Sequence, residues 1–192
     1  MDDAGAEPER AWVAGLRTGD PAAFDAVFAA YRRRVFGYLV RMTRRRDVAE
    51  DLLQETFLRL AQHARGLRAE SSLRGWLFAV AHRLVVSWSR ARAVRAQLAG
   101  DLPAREPESP ARSPLEAVAD SQAQLALERA LGELPAPFRE VALLVGVEGL
   151  SPAEAAEILG VRGDLVRQRL ARARAQLAAA LGELAPLSWR TP

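Results

Sequence analysis

Apolar positions along the chain recur with the spacing of helices. Between Ser71 and Arg95 they lie three and four residues apart, as on one face of a helix. They are Leu73, Trp76, Leu77, Val80, Leu84, Val85 and Trp88. No segment alternates apolar and polar residues between tight turns over the length of a strand. The pattern therefore predicts an all-α protein.

A proline-rich segment divides the chain. It contains Pro103, Pro107, Pro110 and Pro114. Proline inside a helix removes a backbone donor and clashes with the preceding turn, so this density excludes a helix. We predict a flexible linker at 97–118 between two small helical domains, at 11–96 and 119–184. A length of 192 residues is enough for two modest cores.

The second domain contains a helix-turn-helix pattern. Ser151 is a suitable N-cap, and Glu154 three residues later completes a capping box. Gly160 is a good C-terminal stop, and a second, basic helix is predicted from about Asp164 to Leu181. A short helix, a glycine-containing turn and a longer basic helix are typical of proteins that bind the major groove of DNA.

Periodicity separates two faces of this basic helix. The buried stripe is predicted to be Val166, Leu170, Ala173 and Leu177. The opposite side suits DNA, because arginine pairs with guanine and glutamine with adenine. We predict DNA contacts by Arg162, Asp164, Arg167, Gln168, Arg169 and Arg172. The alternative is a solvated arginine-rich helix at the end of a bundle.

The first domain contains an acidic amphipathic helix. Its outer face is predicted to carry Asp47, Glu50, Asp51, Gln54 and Leu58, and Glu55 is a further candidate for binding a partner. Acidic residues near a helix start also stabilise the helix dipole, which is the alternative explanation. A leucine exposed among carboxylates favours a protein-binding surface.

A stretch without acidic residues extends from Ser71 to Gly100. Single-stranded DNA is bound by aromatic rings that stack on bases and by arginines that follow the phosphates. The candidates are Arg74, Trp76, His82, Arg83, Trp88, Arg90 and Arg92. The alternative is that the aromatic residues belong to the core.

The composition excludes several kinds of chemistry. The chain has no cysteine and two histidines, His63 and His82, so we expect neither a disulfide nor a metal site, and no cofactor. No nucleophile–base pair or phosphate-binding glycine loop is present, so we do not expect an enzyme. No apolar run approaches the length of a membrane span, and the acidic N-terminus is unlike a secretory signal. We therefore expect a cytoplasmic protein.

Several segments together resemble a known family. Residues 19–24 with Tyr31, 47–57 and 76–81 resemble the N-terminal conserved region of extracytoplasmic-function sigma factors. Four further segments resemble the C-terminal region of the same family: Leu134-Pro135, Arg139, 148–151 and 169–174. The resemblance covers about 11–96 and 120–182, in the order found in the family.

The resemblance implies a role for each part. The acidic helix would bind bacterial RNA polymerase core, and the basic aromatic helix would recognise and melt the −10 promoter element. The loop around Gly66–Ser72 would receive a flipped base, and the helix-turn-helix would read the −35 element. A separate anti-sigma factor would regulate the protein.

Three positions depart from the family pattern and bear on the promoter sequence. The chain has His82-Arg83 where Arg-Asn is usual, and Ser87 where Asp is usual. It has Gly163-Asp164 where the family favours Gly-Thr.

Two other classes of protein remain as alternatives. A stand-alone helix-turn-helix regulator would account for the second domain, but leaves the acidic and the acid-free helices of the first without a role. A helical adaptor that binds only proteins predicts no salt-dependent DNA binding.

Overall fold

The chain divides into two helical units. The computed structural model describes residues 6–68, 72–98, 122–186 and Trp189. The units are Met1–Pro107 and Glu108–Pro192, and their boundary falls inside the predicted linker. Every regular element in the described ranges is helical, which confirms the all-α prediction.

The N-terminal unit is built around a long central helix. Its helices are α1 (Ala6–Thr18), α2 (Pro21–Thr43), α3 (Arg46–His63) and α4 (Leu73–Leu98), with a 3-10 turn at Ala64–Gly66. Helix α2 packs against the other three. In the core, Tyr38 and Phe78 meet edge to face with ring centroids 5.6 Å apart. Phe57 meets Phe28 in the same way at 4.8 Å. Such pairs add to the stabilisation from apolar burial.

Local signals fix both ends of α2. The carboxylate of Asp20 accepts a hydrogen bond of 2.9 Å from the backbone N–H of Ala22. Pro21 occupies the first turn, where its missing N–H is not needed. At the other end Arg44 has a φ of 55°, and its N–H donates to the carbonyl of Val40 at 2.8 Å. This left-handed residue ends α2 and allows α3 to begin at Arg46.

The C-terminal unit is assembled on its last long helix. Its elements are α5 (Gln122–Glu133), α6 (Ala136–Val141) with a π-helical turn at Ala142–Val147, α7 (Pro152–Leu159) and α8 (Gly163–Leu181), followed by a 3-10 turn at Gly182–Leu184. Helix α8 packs against α5, α6 and α7. Arg139 is 4% exposed and donates to the carbonyls of Leu134 at 2.8 Å and Gly132 at 3.2 Å. Arg139 thereby satisfies carbonyl groups at the end of α5.

The helix ends differ from the predicted boundaries by a few residues. Helix α1 begins at Ala6, before the predicted domain start at 11, and α4 continues to Leu98, past the predicted end at 96. The last turn of α4 contains strong helix formers, and the first proline comes only at Pro103. The rest of the predicted linker, 99–118, lies outside the described residues.

Candidate protein and nucleic-acid interfaces

The outer side of α3 presents an acidic face with a leucine near its middle. The six predicted residues all lie at the surface: Asp47, Glu50, Asp51, Gln54 and Leu58 are exposed, and Glu55 is half-buried. At ~100° per residue they span an arc of roughly 140°. Leu58 is 52% exposed. The opposite side of α3 is buried at Ala49, Thr56 and Leu60, and Phe57 on its flank is buried as well.

Arginines of the same segment neutralise much of this face. The ion pairs are Glu50 with Arg46 at 3.0 Å, Glu55 with Arg59 at 2.7 Å, and Asp47 with Arg45. The hydrogen bond from Arg45 also lowers the pKa of Asp47. Asp51 has no ion-pair partner among the described residues. The part of the face most open to a partner is therefore Asp51, Gln54 and Leu58.

A basic stripe runs along the exposed side of α4. Trp76, Arg83 and Arg90 are seven residues apart, and this spacing keeps them within about 40° of one another on a helix. Both arginines are exposed and Trp76 is half-buried. The stripe is about 21 Å long at 1.5 Å per residue. The predicted loop before it, Gly66–Ser72, includes residues 69–71, which lie outside the described ranges.

His82, which the sequence analysis groups with the DNA contacts, does not lie on this stripe. It is 8% exposed, and its Nδ1 lies 3.3 Å from the hydroxyl of Tyr38. Burial lowers the pKa of His82 below the ordinary value of 6.5, so the ring is neutral at pH ~7. His82 follows the buried Phe78 by four residues and shares its side of α4. That spacing was the signal for a core position.

Three other predicted residues of α4 also lie away from the stripe. Arg74 is about 160° around the helix from Trp76. Its charge acts on the phenol of Tyr31, which burial and a hydrogen bond to Glu9 give a raised pKa. Trp88 and Arg92 form a cation–π contact, with the guanidinium 5.6 Å from the ring centroid. The structure thus separates the seven candidates into an exposed stripe, an outlying pair and two inward-facing residues.

The helix-turn-helix has the local structure that the sequence predicts. The hydroxyl of Ser151 accepts from the N–H of Glu154 at 3.2 Å, and the N–H of Ser151 donates to Oε2 of Glu154 at 2.8 Å. Gly160 ends α7 with a φ of 63°. The predicted buried stripe of α8 is confirmed: Val166, Leu170, Ala173 and Leu177 are all buried.

The outward face of α8 carries most of the predicted DNA contacts. Asp164, Arg167, Gln168 and Arg172 are exposed on α8, and Arg162 is exposed just before it. Arg169 differs, because it is half-buried about 140° around the helix from Asp164. Its charge, with that of Arg139, opposes the rise that burial causes in the pKa of Glu140. Arg169 therefore lies at the edge of the face.

Two features were sought over the described ranges, a metal-ligand cluster and a membrane-spanning helix. Within them, no group of three or more histidine, aspartate or glutamate side chains could hold a metal ion. Over the same ranges, no helix combines the length and apolar character of a membrane span.

Family comparisons identify the class of protein that carries these surfaces. The family model for sigma-70 region 2 matches residues 27–95, and that for sigma-70 region 4 matches 124–177. These regions define an RNA polymerase sigma factor, the class of protein that directs the polymerase to promoters. The chain belongs to the extracytoplasmic-function family of RNA polymerase sigma factors.

Individual relatives match most of the chain. The sigma factor SigM of Mycobacterium tuberculosis is 34% identical, over 86% of this chain and 81% of its own length. SigM of Bacillus subtilis is 30% identical, over 81% of this chain and 93% of its own. Among solved structures, the sigma factor RpoE in complex with the anti-sigma factor NepR, from Bartonella quintana, has a TM-score of 0.71 and 27% identity, covering 82% of this chain and 96% of RpoE.

These findings confirm the resemblance noted in the sequence. The protein directs core polymerase to promoters and initiates transcription. A stand-alone regulator is not favoured, because residues 27–95 match a sigma region as well as the helix-turn-helix unit.

Proposed function

We propose that three helix surfaces divide the work of promoter-directed initiation. The observation that carries this proposal is that the three surfaces lie on three different helices. The acidic face with its leucine lies on α3, the basic stripe on α4, and the polar face on α8. Each surface has the chemistry of a different partner, so each can be tested separately.

The face on α3 binds the polymerase core. Leu58 offers apolar area, and Asp51 and Gln54 flank it with an acceptor and an amide. An exposed apolar residue ringed by polar groups is typical of a protein interface. Asp47, Glu50 and Glu55 form the rim, where their own arginines already balance their charge.

The stripe on α4 recognises and melts the −10 element. Arg83 and Arg90 contact phosphates, and Trp76 supplies a ring for an unpaired base. The Trp88–Arg92 pair lies away from the stripe, nearer the end of α4, and offers a second ring and guanidinium to the DNA. Arg74 lies about 160° around α4 from Trp76, so it is not part of this stripe.

The outward face of α8 reads the −35 element in the major groove. Arg167, Gln168 and Arg172 reach base edges. Arg162, just before α8, contacts the phosphate backbone of the DNA. Arg169, at the edge of this face, contacts a flanking phosphate.

We further propose a protein partner and a location. The similar solved structures include RpoE bound to the anti-sigma factor NepR and CnrH bound to the cytosolic domain of CnrY. By extension, a cognate anti-sigma factor controls this chain. The protein acts in the cytoplasm, where bacterial polymerase and promoters are found. It contributes binding and strand separation, while the polymerase core supplies the catalysis.

The test is run-off transcription by bacterial core polymerase, with and without the protein, on fragments of the source genome that include its own upstream region. We expect discrete transcripts that require the protein. If the protein gave no transcripts and did not bind core polymerase but still bound DNA, the proposal would be overturned in favour of a stand-alone regulator.

Paired variants test the division of labour. Replacing Arg167 and Arg172 with alanine should remove the dependence on the −35 element and leave core binding unchanged. Replacing Arg83 and Arg90 with alanine should slow strand opening, measured by permanganate reactivity of unpaired thymines. The control replaces Arg10 and Arg17 of α1, which are also exposed, so that equal charge is lost. Equal loss of core binding and −35 recognition in the α8 variant would refute the separate roles.

A further inference from the structure

The start of α8 contains an unusual arrangement of charges. Asp164 is the one acidic residue from Ile158 to Leu181, a stretch with five arginines. Its carboxylate binds two of them: Oδ2 lies 3.3 Å from the guanidinium of Arg162, and Oδ1 accepts from Arg167. Both arginines belong to the face proposed to meet DNA.

Arg167 is folded back toward the N-terminus of the helix. Its guanidinium nitrogen lies 3.7 Å from the position that a Cβ on Gly163 would occupy, so the group rests over the first residue of α8. Side chains of a helix lean in this direction, and the carboxylate of Asp164 selects one orientation among them. The small Gly163 leaves the space for it.

Folding stability does not account for this arrangement. The side chains of Asp164, Arg167 and Arg162 are 56%, 64% and 88% exposed, and ion pairs at such exposure contribute little to stability. An acidic residue in the first turn does favour the helix dipole, but only weakly. The carboxylate of Asp164 is unfavourable for DNA binding as such, because it lies at the DNA-facing end of α8 and repels phosphates.

We infer that Asp164 is a specificity-determining residue that, with Arg167, reads one G·C base pair. This inference rests on the proposed −35 role of α8. Beside Asp164, the guanidinium of Arg167 still has N–H groups that can donate to O6 and N7 of guanine, which accept two hydrogen bonds. The carboxylate of Asp164 accepts from N4 of a cytosine, the one base of that pair with a major-groove donor. At an A·T pair, the adenine amino group offers arginine a donor where guanine offers O6, so Arg167 loses one of its two acceptors.

The experiment selects −35 sequences with the holoenzyme. Core polymerase carrying the wild-type chain or a variant is bound to promoters with a randomised −35 element, and the recovered sequences are counted. The wild type should prefer a G·C pair at one position. A bidentate base contact discriminates between bases by about fivefold to 150-fold. Asp164→Ala removes the contact with cytosine and the group that orients Arg167, so it should reduce the preference for G·C about tenfold. Arg167→Ala should remove the same preference and also weaken binding.

Two more variants isolate the cause. Asp164→Asn keeps the shape and one acceptor oxygen while removing the charge, so it should lose part of the preference and less of it than Asp164→Ala. Glu183→Gln removes one negative charge at the far end of α8, about 29 Å away at 1.5 Å per residue, and should select like the wild type. Melting curves of each variant check that α8 remains folded.

The outcomes separate the inference from the function on which it rests. A preference for G·C that persists in both Asp164 variants but disappears in Arg167→Ala would overturn the role of Asp164. If the wild type itself shows no preference within the −35 element, the proposed role of α8 fails, and with it the inference. A loss of the same preference in Glu183→Gln would reduce the effect to overall charge and would also overturn the inference.

Discussion

Replacing Leu58 with alanine should weaken binding to core polymerase about fivefold while leaving the protein folded. Leu58 is 52% exposed on α3, so roughly half of its side chain is available to a partner. Full burial of a leucine is worth about 1.5–3 kcal/mol, and the exposed half therefore about 0.8–1.5 kcal/mol. Alanine keeps the Cβ, so the variant loses about 1 kcal/mol of binding free energy. Because 1.4 kcal/mol is about tenfold in affinity, this loss is about fivefold.

The assay is a fluorescence titration of the labelled protein with core polymerase, read as a dissociation constant. Leu184 is the matched control, because it is also 52% exposed but lies in the C-terminal unit. Leu184→Ala should bind core like the wild type. Both variants should lose a similar, small amount of stability, since the two leucines are equally exposed.

Two results would contradict the reasoning. If Leu58→Ala bound core as tightly as the wild type, the face on α3 would not be the contact surface. If Leu58→Ala lowered the melting temperature by several degrees, its effect on binding would reflect folding and not lost contact area. Leu58→Asp provides a stronger test, because it places a charge at the middle of the face, and it should weaken core binding more than Leu58→Ala.

Three further changes test other parts of the structure. Because burial lowers the pKa of His82, stability should be full above pH 6.5 and fall below it. Urea unfolding should therefore show that the wild type has a smaller free energy of unfolding at about pH 5.5 than at about pH 7.5, and that His82→Leu lacks this decrease. An equal decrease in both proteins would exclude His82 as its source. Ser151→Ala should cost about 1 kcal/mol and lower the melting temperature of the C-terminal unit by about 4–8 °C; an unchanged transition would mean that the capping box contributes nothing. Arg139→Met should cost about 3 kcal/mol, because it removes two charge-assisted hydrogen bonds to backbone carbonyls. Faster amide exchange in α5 would support this last prediction, and unchanged exchange would contradict it.

Features that depend on neighbouring residues could be predicted from the sequence. Ser151, Glu154 and Gly160 specify the start and end of α7 within ten residues, so the helix-turn-helix could be located without a structure. The buried stripe of α8 follows from periodicity for the same reason. The acidic face of α3 could also be outlined, because its residues share one helix.

Features that depend on distant residues could not be predicted in this way. The environment of His82 is set by Tyr38, 44 positions earlier in the chain, and beside Arg83 it looked like part of a basic surface. Phe57 lies on the flank of its helix and is buried only because α2 contributes Phe24 and Phe28. Periodicity describes one helix at a time, whereas these positions depend on how helices pack.

The local ion pairs of α3 limit how far its attraction for a partner can reach. Asp47, Glu50 and Glu55 each have an arginine alongside, so at a distance their fields largely cancel. A face of unpaired carboxylates would steer a basic partner from afar, and its association rate would fall steeply with ionic strength. On this face only Asp51 is left without an ion-pair partner among the described residues, so the encounter rate with polymerase through α3 should vary little with salt. Competition among sigma factors for a limited pool of core would then be decided by how long each complex lasts.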